Sequence, residues 1–543
     1  MKYSTINTVV CIALLFVTGC KKLDLAPTDR FSELTFWQID ENVYNALYNN
    51  YSLMYNSNSY FYLEATSDNA YSPQGNASGN ADAIASGSFT ATLPRFQNDW
   101  ANYYKLIKSC NLFLVNVDNN ESLLPAELSR LKAENRFFRA WAHFNLEKWY
   151  GDVPLADHDL TVEESQTIAR SPRADVVNFV LSELDAILPD LPSNDNLAAN
   201  EEGRITKGAA LALKARVLLY EGNRMDEVIA VCEQLMNNQA ENGTYSLNPS
   251  YSALFNDPAA NKTNLETILA LQYVPSGRTW SEFFDFAPRS VGARTNNMGP
   301  TQELVNSYLM LNGSKITDAG SGYDENNPYV NRDPRLTATI VYDKFNWLNP
   351  DGTTRTIYIK PGSDPVQPGA DEYSTSGQGS TTAYYWRKYF DPVAQASFAS
   401  GSNLHLFRYA EVLLTYAEAK NSLGQMDASV WDKTIRALRA RAGFTDPAAL
   451  DYPGTTDITG IIRNERRVEL AMEGLRTDDI RRWKLSETVL NGYAHGAKFG
   501  DPTLDNGYIR AQQRQFDPSK HYLWPVPASE LALNPNLTQN PGY

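Results

Sequence analysis

A mostly α-helical fold, built from helical hairpins and discontinuous along the chain, is what this 543-residue sequence predicts. Three observations carry that prediction. Apolar residues recur at helical spacing, two helix-turn-helix units lie on either side of the middle of the chain, and a long stretch of different composition separates them.

The spacing is clearest in Leu128, Leu131, Phe138, Ala142, Leu146 and Trp149, and again in Ala210, Leu213, Val217 and Tyr220. Steps of three and four residues place such side chains on one face of a helix. Leu406, Tyr409, Leu413, Tyr416 and Lys420 repeat the pattern. Two of these helices run into a turn and a second helix. The first unit is Ala209 to Tyr220, a turn at Gly222 to Asp226, then Val228 to Met236; the second is Leu406 to Leu423, a turn at Gly424 to Asp427, then Val430 to Arg441. Glycine ends the first helix at little steric cost, and aspartate favours the start of the next. Each unit is therefore a helical hairpin, and the degenerate repeat resembles tetratricopeptide units.

Between them, Asn242 to Gly401 is rich in Gly, Pro, Ser, Thr, Asn and aromatic residues. Its short β-branched pieces, Thr267 to Tyr273, Leu336 to Tyr342 and Arg355 to Ile359, read as small strands among loops. Ser57 to Arg95 is a second loop-rich segment, without a sustained period. The helical scaffold is thus expected at approximately residues 30–240 and 402–490, with a loop-rich ligand-side insertion at 241–401 and an extended tail at 515–543 whose prolines oppose helix. Residues 20–543 are expected to form one domain.

The first residues speak to location. Lys2 precedes an apolar run from Val9 to Val17, long enough for a signal-peptide core and too short for a spanning helix. The run ends in Val17-Thr18-Gly19-Cys20, which resembles a bacterial lipobox, so residues 1–19 are expected to be a signal peptide and Cys20 a lipidated first residue. Net charge is −15, with no basic cluster free of interleaved acids, which excludes a nucleic-acid partner that needs a cationic face. Beyond Cys11 and Cys20 only Cys110 and Cys232 remain, both at apolar helical positions, read as two buried thiols or a single bridge rather than a disulfide framework.

Catalytic signals are sparse. The five histidines, His143, His158, His405, His495 and His521, are too scattered for a metal-ligand set such as His-Glu-x-x-His, and no Gly-x-Ser-x-Gly elbow occurs. Gly377-Gln-Gly379 lacks the third glycine of a dinucleotide loop. No cofactor and no enzymatic activity are expected. A glycoside hydrolase, which needs two carboxylates about 5 to 9.5 Å apart, is the rival class.

What the loops do hold is aromatic residues beside polar ones, the pattern that covers pyranose C–H groups with ring faces and meets hydroxyls with amides and charges. In Tyr273 to Asn297, Trp280 is the candidate stacking platform, or else a filler of a core gap; Arg294 and Asn297 are polar candidates beside it, and Phe283 and Phe284 read as core. Trp347, Tyr384, Tyr385 and Trp386 are further loop aromatics, Trp386 being a candidate ligand contact. Trp100, in helical register with Tyr104, Ile107 and Asn111, reads as scaffold packing.

Several local patterns occur in order along the chain: Cys20-Lys-Lys-Leu-Asp-Leu-Ala-Pro27; Trp100 and Tyr104 ahead of Asn111; Glu134-Asn-Arg-Phe-Phe-Arg-Ala140; Tyr150-Gly-Asp-Val-Pro-Leu155; Arg204 to Arg216; Arg408-Tyr-Ala-Glu-Val-Leu-Leu414; Arg463-Asn-Glu-Arg-Arg-Val-Glu-Leu-Ala-Met-Glu-Gly474; Asp479-Ile-Arg-Arg-Trp483; and the tail Tyr522-Leu-Trp-Pro-Val-Pro527 with Asn534-Pro535 and Gln539-Asn-Pro-Gly-Tyr543. Together they resemble the SusD-like (RagB/SusD) family of nutrient-uptake lipoproteins. The resemblance implies a tetratricopeptide-type scaffold with an irregular second part. It also implies an outer-membrane, surface-exposed location, an oligosaccharide ligand or in some members a peptide, and a SusC-like TonB-dependent transporter as partner. It places Asp68, Asn69, Tyr71 and Arg95 near the ligand face. The interdigitated arginines and carboxylates of Arg463 to Trp483, such as Arg466 with Glu469, read as a network between helices.

Overall fold

The computed structural model describes residues 33–543 except 368, 375–378, 395–396 and 455–456. The expected signal peptide and Cys20 lie outside the described residues. Among the described residues helices dominate, and the strands form five two-stranded antiparallel sheets.

The amino-terminal scaffold comprises α1 (Asp40–Met54), α2 (Ser57–Tyr62), α3 (Pro94–Asn116), α4 (Pro125–Tyr150), α5 (Arg173–Ile187), α6 (Lys207–Glu221) and α7 (Met225–Asn237). Helix α4 packs against both α3 and α5, and α6 pairs with α7. Sequence explains the ends. Proline stands at the first turn of α3 and of α4, where its missing N–H has no intrahelical partner to lose. Thr206 caps α6 by accepting from the Ala209 amide, and Gly222 ends it with φ +74°. Gly151, at φ +74°, ends α4. The periodic residues Leu131, Phe138, Ala142, Leu146 and Trp149 are all buried.

Across the middle of the chain, α8 (Tyr409–Ser422) packs on α7 and on α10 (Ile458–Glu469). Between them α9 starts at Ala428, capped by Asp427, and carries a π turn at Asp432–Arg436 before ending at Ala442. Helix α11 spans Arg476–Arg482. Helical hairpins therefore occur on both sides of the insertion, as the repeat predicts. One boundary differs. The helix expected from Leu406 begins at Tyr409, because Leu404–Arg408 is a strand paired with Thr267–Leu271.

Strands in chain order are β1 (Ala70–Tyr71), β2 (Thr267–Leu271), β3 (Gly299–Pro300), β4 (Ile340–Val341), β5 (Phe345–Leu348), β6 (Thr354–Ile357), β7 (Tyr385–Trp386), β8 (Leu404–Arg408), β9 (Gly492–His495) and β10 (Arg510–Arg514). The strand expected over Leu336 to Tyr342 is mostly a short helix, Pro334–Thr339, since Pro334 sits in the first turn and Asp333 caps it through the Arg335 amide; only Ile340–Val341 is strand. The tail is largely irregular, yet it holds one helical turn at Ala528–Leu533, started by Pro527 at the cap rather than blocked by it.

Insertion and scaffold are joined by buried charge. Arg335 reaches Glu465 at 2.6 Å and Glu469 at 2.8 Å, and Arg408 reaches Glu266 and Glu469 at 2.7 Å each and Glu473 at 2.8 Å. Lys388 adds a 2.7 Å contact to Glu473. Burial raises the Glu469 and Glu473 carboxyls, but the surrounding cations outweigh it and hold both below the ordinary carboxylate range. The expected network is present with different pairing: Arg466 meets Asp479 at 3.0 Å, on α11, rather than Glu469.

Candidate ligand-binding rim

The first loop and the insertion meet at β1 and β3, which pair antiparallel with Tyr71 opposite Gly299 and Ala70 opposite Pro300. The Thr301 amide donates to Asn69 O at 2.9 Å, and its hydroxyl to Asp68 O at 2.6 Å. Gly299 is required by space: a Cβ there would lie 2.3 Å from Thr382 Oγ1. This pairing brings Tyr71 beside the loop that holds Arg294 and Asn297.

These three are the expected site residues that reach the surface. Tyr71 and Asn297 are half-buried and Arg294 is exposed. Arg294 is held in a bidentate pair with Asp285, at 3.0 and 2.8 Å, and its guanidinium lies 5.3 Å from the centre of the Phe398 ring. The Asn297 amide donates to Asp285 O at 2.7 Å while its side-chain oxygen accepts from the Thr295 hydroxyl at 3.0 Å. Asp285 thus organises both polar candidates.

Asp68 and Asn69, just before β1, are buried and support the β1–β3 pair through Thr301. The Asp68 carboxylate takes two bonds from Arg476, at 2.8 and 2.9 Å, and one contact of 3.0 Å from Arg467. Burial alone would raise its pKa; the charges of Arg467 and Arg476 outweigh that and hold it well below the usual carboxylate range. Asn69 is fixed between Glu64, 2.6 Å, and Arg467, 2.7 Å.

Trp280 is not a platform. Its ring is 3% exposed, packs 5.0 Å from Phe61, and donates its indole N–H to Ser402 O at 2.7 Å. Phe61 of α2 and Tyr389 flank it, and its backbone is tied to Ser400 in an isolated bridge. Trp386 is likewise fully buried, in β7 against β4, and Trp347, Tyr384 and Tyr385 are buried with it. Each aromatic that the sequence singles out in the insertion loops, Trp280, Phe283, Phe284, Trp347, Tyr384, Tyr385 and Trp386, is therefore core.

Arg95 lines a different feature, a polar pocket of about 400 Å³ between α2, the Asn76–Gly79 turn and the start of α3. Its Nε pairs with Asp99 at 2.6 Å, and its buried Nη1 has no hydrogen-bond partner. Asn56, Asn58, Asn76, Asn80 and Asn98 also line this pocket. Sequence reading missed them; the density of asparagine from residue 56 to 102 was the available signal. Trp100, by contrast, is scaffold as its register predicts, 3% exposed and 5.0 Å from Tyr150.

Among the described residues no group of histidine, cysteine, aspartate and glutamate is placed to hold a metal ion. Cys110 and Cys232 are buried free thiols, both raised by burial.

Helical hairpins on both sides of a loop-rich insertion define a helical-hairpin scaffold protein. Comparison makes the class specific. The SusD family model matches residues 230–543, and a model described as "Starch-binding associating with outer membrane" matches 23–219. The chain belongs to the SusD family. The solved structure of a SusD-like carbohydrate binding protein from Bacteroides fragilis superposes with a TM-score of 0.82 at 29% identity, covering 93% of this chain and 100% of that one. A SusD-like protein of Bacteroides ovatus is 25% identical over 90% of this chain and 84% of its own. Starch-binding protein SusD of Bacteroides thetaiotaomicron is 24% identical over 80% of this chain and 76% of its own.

Proposed function

We propose that this chain is a cell-surface glycan-binding lipoprotein that captures oligosaccharides and passes them to a SusC-like TonB-dependent transporter. The observation that carries the reading is the β1–β3 pair, which sets the half-buried Tyr71 opposite Gly299, at the end of the loop that carries the exposed Arg294 and the half-buried Asn297. A part-exposed ring on one strand, with a guanidinium and an amide on the loop that leads into the other, offers the stacking and hydroxyl contacts that a sugar needs. The names of the relatives support a carbohydrate ligand. Lipidation at Cys20 anchors the protein to the outer membrane in this reading, and the recognition loops face outward. No cofactor takes part.

With one accessible ring and two polar groups at the rim, capture is expected to be weak, on the order of micromolar to millimolar. Weak capture suits a protein that must release its ligand onward. The test is affinity electrophoresis of the mature chain through gels containing a panel of neutral and acidic polysaccharides, with a reducing-end assay in parallel. Retardation by at least one polysaccharide without new reducing ends is expected. Steady release of reducing ends would identify a hydrolase, and binding to peptides alone would identify a peptide receptor on the same scaffold.

A further inference from the structure

We propose that this chain has a second saccharide site, one that takes an acidic sugar through a uronate carboxylate or a sulfate ester; the proposal rests on the glycan-binding reading and adds a site whose lining includes none of Tyr71, Arg294 and Asn297. The site is a pocket of about 510 Å³ formed where the Tyr323–Val330 loop faces the turn after β4 and the loop between β9 and β10. That volume falls in the range of small-ligand pockets.

Its walls are aromatic and rigid. Tyr329 and Tyr342 stack at 3.9 Å with an 18° tilt. The Tyr329 and Tyr384 hydroxyls meet at 3.2 Å, and the Tyr384 hydroxyl donates to Gln302 Oε1 at 2.7 Å. Tyr323, Tyr342 and Tyr508 are only half-buried and line the opening, which leaves ring area for the C–H face of a pyranose.

Three lysines against two carboxylates, Glu325 and Asp343, line this pocket in a chain whose net charge is −15. Lys344, Lys360 and Lys498 all line the pocket. Lys498 is paired with Glu325 and lies 5.7 Å from the centre of the Tyr508 ring. Lys344 and Lys360 are exposed, and their ammonium groups make no hydrogen bond or ion pair among the described residues. Asp343, which also lines the pocket, makes no ion pair with either lysine; one of its oxygens accepts from the Ile359 and Lys360 amides at 2.8 and 2.9 Å. Lys344 also stands at φ +64°, where glycine or asparagine is the less strained residue. A side chain is thus kept where the backbone disfavours one, beside a second unpaired cation, over a ring-lined cavity. A charged oxygen on a sugar would bond both ammonium groups while its ring covers a tyrosine face.

The test is calorimetric titration of the wild type, a Lys344→Gln/Lys360→Gln variant and a Tyr71→Ala/Arg294→Ala variant. The probes are trigalacturonic acid, a sulfated galactan tetrasaccharide and neutral galactotriose. The lysine pair is expected to weaken at least one acidic probe about tenfold or more, to leave galactotriose unchanged, and to preserve the melting temperature, because neither ammonium holds the fold. Which acidic probe responds identifies the anionic group. The inference is overturned if neither acidic probe binds the wild type, or if the lysine variant binds both as the wild type does. Loss of acidic binding only in the Tyr71/Arg294 variant would also overturn it while leaving the rim reading intact. Loss only in the lysine variant, with no glycan affected at Tyr71 and Arg294, would sustain this pocket and remove the rim.

Discussion

At the scale of the residue, the decisive case is Trp280. A tryptophan in a loop flanked by arginine and asparagine reads as a sugar platform, and the same sequence is compatible with a ring that plugs the core. The structure chooses the core: the indole is wedged against Phe61 and its N–H is satisfied by Ser402 O. Trp280→Ala is therefore expected to cost about 3–5 kcal/mol through cavity formation, seen as a large drop in melting temperature, rather than to remove ligand binding from an otherwise stable fold. An unchanged melting temperature would return Trp280 to the surface. Burial depends on contacts with residues hundreds of positions away, which no local pattern encodes. Arg294 and Asn297 reach the surface, as their residue types suit exposed, hydrogen-bonding loops, whereas Asp68 is buried. Its carboxylate is held by Arg467 and Arg476, a partnership set by residues about 400 positions away.

At the scale of the element, helices with strong period and glycine or aspartate at their ends were readable nearly to the residue. Gly222, Gly424 and Asp427 occupy the turn positions that their chemistry predicts. The errors fall where tertiary pairing overrides local preference. Leu406 continues an apolar helical stripe, yet β8 forms because β2 offers it a partner. The β1–β3 pair, only two residues per strand, has no sequence signature at all, and it is what places Tyr71 next to the insertion. Gly299→Ala tests that pairing. The added Cβ meets Thr382 Oγ1 at 2.3 Å, so the variant is expected to lose about 1–3 kcal/mol and to weaken glycan binding by displacing the rim. Equal affinity and stability in the variant would show that the pair does not position the site.

At the scale of the whole molecule, the discontinuous scaffold closes on its insertion through the Arg335, Arg408 and Lys388 network. Isolated members of such a network are costly to leave unpaired, so Arg408→Ala is expected to destabilise by about 3–5 kcal/mol, measured by denaturant unfolding. The linked carboxylates set a pH response. Glu465, Glu469 and Glu473 are all held below their ordinary range in the folded state. Their contribution is complete above the pKa of the unfolded carboxylates and is lost as acid protonates the folded ones. Melting temperature is thus expected to hold steady in these groups' terms near neutrality and to fall progressively below about pH 5; constancy down to strongly acidic pH would show that the network does not hold the two parts together.

The central claim is that loops drawn together by this scaffold form a non-catalytic glycan-binding rim at Tyr71, Arg294 and Asn297. Calorimetric titration of the best polysaccharide from the gel panel into wild type and into Tyr71→Ala/Arg294→Ala tests it most directly. The account predicts at least about a tenfold loss of affinity with the fold retained by circular dichroism and the ligand recovered uncleaved. Undiminished affinity in the folded variant would contradict it.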